Sequence, residues 1–110
     1  MAWHTDNILK NAAVTDTQAP ISKNIINRNP NCMIIEVFTT TQIAAADIYL
    51  EDSADGENWS QVATTSYDTA ESLTWRVDAR TTPIRTQCRV SMKTDSGTAT
   101  VSKLMVTWES

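Results

Sequence analysis

The run from Asp47 to Val62 constrains the fold of this 110-residue chain more than any other part of it. Apolar and polar side chains alternate toward a central Asp55-Gly56 pair, and strand-like residues resume after it. A period of two is typical of a strand with one buried face, and Asp-Gly is a preferred turn between two such strands. The run therefore predicts an antiparallel β-hairpin.

The rest of the chain repeats this kind of pattern. β-branched and aromatic residues recur in short runs between Asn, Asp, Ser, Pro and Gly, and no amphipathic helix pattern lasts three turns. We expect strands at about residues 8–14, 21–27, 32–40, 45–52, 58–64, 72–79, 86–94 and 98–108. Eight short strands predict an all-β fold, a single antiparallel β-sandwich of jelly-roll or immunoglobulin-like type. We assign the sandwich to residues 21–110 and an extended N-terminal arm to residues 1–20.

Side-chain parity assigns the faces of these strands, because successive residues of a strand point to opposite sides of its sheet. The last strand has Leu104, Val106 and Trp108 on one parity but Val101 on the other. This conflict predicts a β-bulge near residues 102–103 or a residue covered from outside. The side chains expected to face the core in the other strands are Ile48, Leu50, Leu73, Trp75, Val77, Cys88, Val90 and Met92.

Residues 32–38 break the alternation, because Ile34 and Phe38 are apolar on the face opposite Met33, Ile35 and Val37. Both faces of this strand therefore carry apolar side chains that must be shielded from water. One interpretation is a central strand with a loop or the N-terminal arm across its back. The other is a contact with a partner protein.

Catalytic chemistry has little support in the sequence. The sole histidine, His4, lies near the N-terminus, and no nucleophile elbow, P-loop or metal-binding His or Cys pair occurs. With two glycines in the chain, a phosphate-cradling loop is not expected either. We predict no enzymatic activity, no catalytic residue, no cofactor and no metal.

Two features leave alternatives open. The cluster Glu51, Asp52, Asp55 and Glu57 could present oxygens to calcium, but its spacing is not that of an EF-hand, and a solvated turn is the simpler interpretation. Cys32 and Cys88 could form one bridge, although both lie in apolar runs, which favours two buried free thiols.

Charge is unevenly distributed along the chain. Residues 44–72 contain only acidic charges, whereas residues 73–93 carry Arg76, Arg80, Arg85, Arg89 and Lys93 against one aspartate. If the two segments are neighbours in one sheet, the charges pair across strands. If they lie apart, the polarity suits contact between identical copies.

Net charge and hydropathy restrict the partners. A net charge of -4 argues against binding to nucleic acid, and no apolar run is long enough to span a bilayer. The start of the chain lacks the pattern of a secretion signal, so we expect synthesis in the cytoplasm.

The hairpin run from Ile48 to Val62, followed by Arg89-Val-Ser-Met92 and the strand from Val101 to Trp108, resembles discoidin-like β-sandwich domains. The likeness covers roughly residues 45–108. The chain is shorter than those domains and lacks their bracketing cysteine pair, so it does not imply their carbohydrate or lipid sites.

The short Thr-rich all-β chain with an extended N-terminal segment also resembles the small accessory proteins of tailed-phage virions, such as capsid decoration or cement proteins. This resemblance implies a non-enzymatic β-sandwich, made in the host cytoplasm and located in the virion. It would stabilise the capsid through noncovalent contacts with protein subunits, often as a homo-oligomer, and its arm would gain order on binding.

Three functions therefore remain to be separated. The first is the virion protein just described, and the second is a carbohydrate-binding module that stacks sugars on Trp59, Tyr49 and Tyr67. The third is an accessory domain of a larger enzyme, which fold alone does not exclude. The candidate interaction residues are Trp3, Ile34, Phe38, Tyr49, Trp59, Arg76 and Arg89.

Overall fold

The computed structural model describes residues 3–7, 13–26, 32–39, 45–68, 72–78, 80–95 and 97–109. All regular elements in these ranges are β-strands. The strands are β1 (Trp3–Asn7), β2 (Ala13–Val14), β3 (Ala19–Pro20), β4 (Ile25–Ile26), β5 (Cys32–Thr39), β6 (Ala45–Ser53), β7 (Ser60–Asp68), β8 (Ser72–Asp78), β9 (Gln87–Thr94) and β10 (Ala99–Glu109).

The strands form two antiparallel sheets. Sheet one has the order β1-β10-β5-β8, and β2 also pairs with β10; sheet two has the order β3-β9-β6-β7, and β4 also pairs with β9. β1 and β2 lie end to end along β10, and β3 and β4 lie end to end along β9. Each sheet is therefore four strands wide, which confirms the predicted β-sandwich.

The pairing is nested from the ends of the chain toward its middle. β1 and β2 pair with β10, β3 and β4 pair with β9, β5 pairs with β8, and β6 pairs with β7. A long hairpin rolled up in this way is a jelly roll. The topology thus selects the jelly roll over the immunoglobulin-like alternative.

The N-terminal part of the chain differs from the predicted strands. In place of strands at 8–14 and 21–27, the structure has four shorter strands, and residues 8–12 lie outside the described part. The described residues of the predicted arm, 3–7 and 13–20, run along the edges of β10 and β9. Backbone groups of the two edges hold them there, and an alternating side-chain pattern does not reveal that kind of pairing.

The core lies between the sheets and is apolar. Ile35, Val37, Ile48, Leu50 and Val90 are each 0% exposed. Leu73 and Trp75 of β8 also pack against this core but are only partly buried. The face assignments made from parity are therefore confirmed for β6, β8 and β9.

Cys88 is a free thiol within this core. Burial, with a smaller contribution from the charge of Asp52, raises the pKa of Cys88 to about 12. Such a thiol stays protonated and unreactive at neutral pH. The free thiol is confirmed for Cys88, whereas the side chain of Cys32 lies outside the described residues.

A β-bulge resolves the conflict in the last strand. The register of β10 against β5 shifts between Val101 and Lys103. Val101 is 0% exposed before the shift, and Leu104 and Val106 are 0% exposed after it. The extra residue rotates the strand by one position, so both parities reach the same core.

The loop between β6 and β7 is organised by Ser53 and Asp55. The Ser53 hydroxyl accepts hydrogen bonds from the amides of Asp55 and Gly56, at 3.2 and 2.8 Å, and donates to the Asp55 carboxylate. That carboxylate also accepts from the amides of Glu57 and Asn58 and from the Asn58 side chain. These hydrogen bonds, led by those from Asn58 and Glu57, hold the pKa of Asp55 well below its usual range. The predicted Asp-Gly turn is present as a wider, side-chain-capped loop.

Replacing Gly56 with alanine is expected to destabilise the fold by about 1–2 kcal/mol. Gly56 has a positive φ of 81°, a backbone conformation that is unfavourable for any residue with a Cβ. An added Cβ would also lie 2.9 Å from Oε1 of Gln87. Gly97→Ala is the matched control, since its φ is 74° and nothing lies within 4 Å of the added carbon. Urea unfolding of both variants, with and without Gln87→Ala, separates the cost of the backbone conformation from the cost of the contact with Gln87. If Gly56→Ala loses the same stability with Gln87 present or replaced, the contact with Gln87 does not contribute.

Candidate functional site

Part of the outer face of sheet two is occupied by a residue of its own hairpin loop. Trp59, at the end of the loop, lies over Arg89 of β9, with the guanidinium carbon 4.2 Å from the ring centroid. Arg89 donates through Nε to Glu51 of β6, at 3.1 Å, and the hydroxyl of Ser91 donates to the same carboxylate oxygen. Glu51 is 9% exposed and Ser91 1% exposed. This polar cluster is therefore satisfied within the chain.

The aromatic side chains proposed for sugar stacking occupy restricted positions. Tyr49 of β6 is only 9% exposed, and one face of the Trp59 ring carries the Arg89 guanidinium. The side chain of Tyr67 lies outside the described residues. A sugar-binding platform needs open ring faces. These placements do not favour the carbohydrate interpretation.

A second charged pair joins Asp52 of β6 to Arg85, in the segment just before β9. Arg85 donates to the Asp52 carboxylate through Nε, at 3.0 Å, through Nη2, at 2.8 Å, and through its backbone amide, at 2.9 Å. Burial, the largest single influence, favours the neutral acid, but the hydrogen bonds and charge of Arg85 together outweigh it. The pKa of Asp52 therefore lies below its ordinary value of 3.8.

Replacing Asp52 with asparagine is expected to lower the free energy of unfolding at neutral pH, with a loss that shrinks on acidification. A carboxylate whose folded pKa is depressed stabilises the fold fully above its unfolded pKa, and that contribution disappears as pH falls from about 4 through the folded pKa. Urea unfolding of both proteins between pH 7 and pH 3 tests this. Because Asp55 and Asp78 remain in both proteins, the difference between them reports Asp52 alone, and a pH-independent difference would contradict the lowered pKa.

The charged segments of the sequence meet in sheet two. Acidic β6 pairs directly with basic β9, so Glu51 faces Arg89 and Asp47 faces Lys93. Arg85, just before β9, binds Asp52. The two segments are therefore neighbours in one sheet, as the first alternative requires, and Glu51 and Arg89 form an ion pair across the strands. Arg76 lies on β8 in sheet one, so it takes no part in the pairing of β6 with β9.

The outer face of sheet one has a different character. Ile34 and Phe38 of β5 and Met105 of β10 are half-buried on this face, and Glu36 lies between the first two, opposite Met105. The side chains of Arg76 and Lys103 are exposed beside them, and the Lys103 ammonium lies 5.8 Å from the centroid of the Phe38 ring. We call these six residues the sheet-one patch.

β5 is a central strand of its sheet, as one interpretation of its two apolar faces predicted. The described part of the N-terminal segment does not cross its back, since it follows the edge of β10 instead. The back of β5 is therefore only partly covered by the residues that the structure describes. A sheet face with partly covered apolar side chains is suited to contact with another protein.

The structure separates six of the seven predicted interaction residues into two groups. Tyr49, Trp59 and Arg89 share the outer face of sheet two, and Ile34, Phe38 and Arg76 share that of sheet one. Trp3 pairs with Glu109 at the end of β1, and its side chain lies outside the described residues.

Sequence reasoning missed four residues that belong with these groups. Glu51 and Ser91 complete the cluster on sheet two, and Lys103 and Met105 complete the sheet-one patch. The alternation of Leu104 and Val106 already implied an outward Met105. No sequence signal indicated that Trp59 would fold back onto the sheet.

No group of three or more His, Cys, Asp and Glu side chains suited to a metal ion occurs among the described residues. The same residues form no helix that is long and apolar enough to cross a membrane.

No protein-family model matches the chain, and no curated protein matches it in sequence. Several solved structures share its fold. The SPBc2 prophage-derived protein YomS aligns over 98% of this chain and 95% of its own, with 6% identity and a TM-score of 0.58. A protein of the Bacillus endospore appendages, described as disulfide-linked pili, aligns over 98% of this chain and 88% of its own, with 14% identity and a TM-score of 0.57. The PBSX exported protein XepA aligns over 96% of this chain and 36% of its own, with 7% identity and a TM-score of 0.57. At these identities the likeness shows a shared fold.

Proposed function

We propose that this chain is a non-enzymatic structural subunit of a protein assembly, and more specifically a capsid decoration or cement protein of a tailed-phage virion. Its partners would be capsid subunits and further copies of the chain, and it would be made in the host cytoplasm. The observation that carries the proposal is the outer face of sheet one, where the described residues cover the apolar side chains of Ile34, Phe38 and Met105 only in part.

The composition of the patch supports a protein partner. Ile34, Phe38 and Met105 supply apolar area, Glu36 places one carboxylate between Ile34 and Phe38, and Arg76 and Lys103 carry positive charge beside them. Phe, Met and Arg are enriched at protein interfaces relative to the rest of the protein surface. The likeness of the fold to that of a prophage-derived protein and of a pilus protein is compatible with this role.

The proposal is tested by placing the chain on particles. In lysates of the cells that make this protein, particles purified on a density gradient are expected to carry the chain, detected by antibody. Phe38→Asp introduces a charge into the apolar part of the patch and is expected to remove the protein from the particle fractions while leaving its circular dichroism unchanged. Gln61→Asp is the matched control, because Gln61 is exposed on the opposite sheet.

Two results would contradict the proposal. If the wild-type chain stays in the particle-free fractions, the virion assignment is wrong. If Phe38→Asp and Gln61→Asp bind particles equally well, the sheet-one patch is not the contact surface.

A further inference from the structure

The four outer edges of the sandwich are not equally protected against pairing with another strand. On one side, β2, β3 and β4 are two residues long each, β3 contains Pro20, and β1 has five residues. On the other side, β7 carries an irregularity where the register shifts between Leu50 and Glu51. Short strands, proline and bulges are the usual devices that prevent edge pairing.

β8 has none of these devices. It is seven residues long, its register against β5 is regular, and β5 is its only strand partner among the described residues. Its core-facing residues, Leu73, Trp75 and Val77, include no charge that would prevent a further strand from joining. β8 is therefore the longest regular edge strand among the described residues.

The core is also incompletely covered at this edge. Val77 is 4% exposed, but Leu73 and Trp75 remain only partly buried although they face the core. A strand added beside β8 would satisfy its outer backbone groups and cover these two side chains together. Main-chain hydrogen bonds and alternate apolar contacts are what strand addition requires of both partners.

The pattern of β8 matches a second copy of itself. Around Trp75 the strand reads the same in both directions, with apolar residues at 73, 75 and 77 and polar residues at 72, 74, 76 and 78. In an antiparallel two-fold pair centred on Trp75, Leu73 meets Val77 on the core side. On the outer side Thr74 meets Arg76, so no like charges stand directly opposite each other. A two-fold interface requires this kind of self-complementarity.

We propose that two copies of the chain pair edge to edge through β8, with Trp75 of each copy opposite Trp75 of the other. Sheet one becomes a continuous sheet, eight strands wide, across the two-fold axis. This inference rests on the proposed assembly role and deepens it by naming the contact between copies. It uses the edge of sheet one and leaves most of the sheet-one patch free for another partner.

The register is tested at Thr74, which is exposed and lies opposite Arg76 of the second copy. Thr74→Lys would place like charges opposite each other twice and is expected to weaken dimerisation about tenfold, whereas Thr74→Glu is expected to strengthen it about tenfold. Sedimentation equilibrium of the full chain over a range of concentrations measures both. Wild-type chain that stays monomeric throughout, or two variants that dimerise equally, would overturn the proposal.

A loss of folding would not produce these two changes in dimerisation. Within one copy Thr74 faces Glu36 of β5, so the new lysine is expected to raise the melting temperature and the new glutamate to lower it. Stability and dimerisation thus move in opposite directions for the same pair of variants.

Cross-linking gives an independent check of the register. In a Cys32→Ser background, Thr74→Cys mixed with Arg76→Cys is expected to form an intermolecular disulfide on mild oxidation, and neither variant alone is expected to do so efficiently, because only positions 74 and 76 lie opposite each other. Cross-linking that is equal in the mixture and in each variant alone would overturn the register. A chain that binds particles but stays monomeric contradicts this inference alone, whereas a β8 dimer that binds no particles contradicts the virion proposal alone.

Discussion

Replacing Ile35 with alanine is expected to lower the free energy of unfolding by about 2–5 kcal/mol, a large part of the stability of a domain of this size. Ile35 is 0% exposed and lies on β5, between β10 and β8. The truncation removes buried apolar area and leaves a cavity that the two flanking strands cannot close. Urea unfolding followed by tryptophan fluorescence and circular dichroism measures the loss.

The neighbouring residue supplies the control. Ile34 has the same side chain on the same strand but lies half-buried on the outer face, so Ile34→Ala is expected to cost under about 1 kcal/mol. Its effect should instead appear in particle binding, because Ile34 belongs to the sheet-one patch. Equal losses of stability for the two variants would contradict the assignment of the two faces of β5.

Replacing Glu51 with alanine is expected to lower the free energy of unfolding by about 2–3 kcal/mol, below the usual cost of breaking a fully buried ion pair because Arg89 retains some contact with water. The variant leaves the Arg89 guanidinium and the Ser91 hydroxyl without their shared acceptor. The side chains of Glu51 and Arg89 are 12% and 23% exposed, so water compensates only in part.

Glu51→Gln separates shape from charge. Glutamine keeps the length of the side chain and one carbonyl acceptor, so its loss is expected to be about half that of Glu51→Ala. The indole fluorescence of Trp59 is expected to change in Glu51→Ala, since Arg89 loses the partner that holds it over the ring. An alanine variant as stable as wild type would show that the cluster on sheet two does not stabilise the fold.

Most strands from residue 32 onward could be predicted because apolar residues recur at every second position on at least one face. β7 carries no such pattern, and it was predicted at 58–64 but runs from Ser60 to Asp68. In β8, Leu73, Trp75 and Val77 face the core as their spacing indicates, and the parity conflict at Val101 correctly indicated a bulge. The N-terminal strands could not be predicted in the same way. They are held by backbone pairing to β10 and β9, and their side chains carry little of that information.

The candidate surfaces were predicted only in part. Ile34 and Phe38 were recognisable because they interrupt a simple alternation, and Arg76 because it follows a core-facing tryptophan on the outward parity. The grouping of Tyr49, Trp59 and Arg89 on sheet two depends on which strands become neighbours. The likeness of the hairpin to discoidin-like domains stays a prediction, since a hairpin of this kind is compatible with many sandwiches.

Local chain chemistry determined that this protein is made of strands, where most of them lie and which of their faces enter the core, because alternation and turn residues act over a few neighbouring positions. Only the tertiary structure decided that the strands nest into a jelly roll, that acidic β6 lies against basic β9 and that β8 is left as a regular open edge. These features join residues far apart in the chain, and their free energy depends on contacts that no short segment contains.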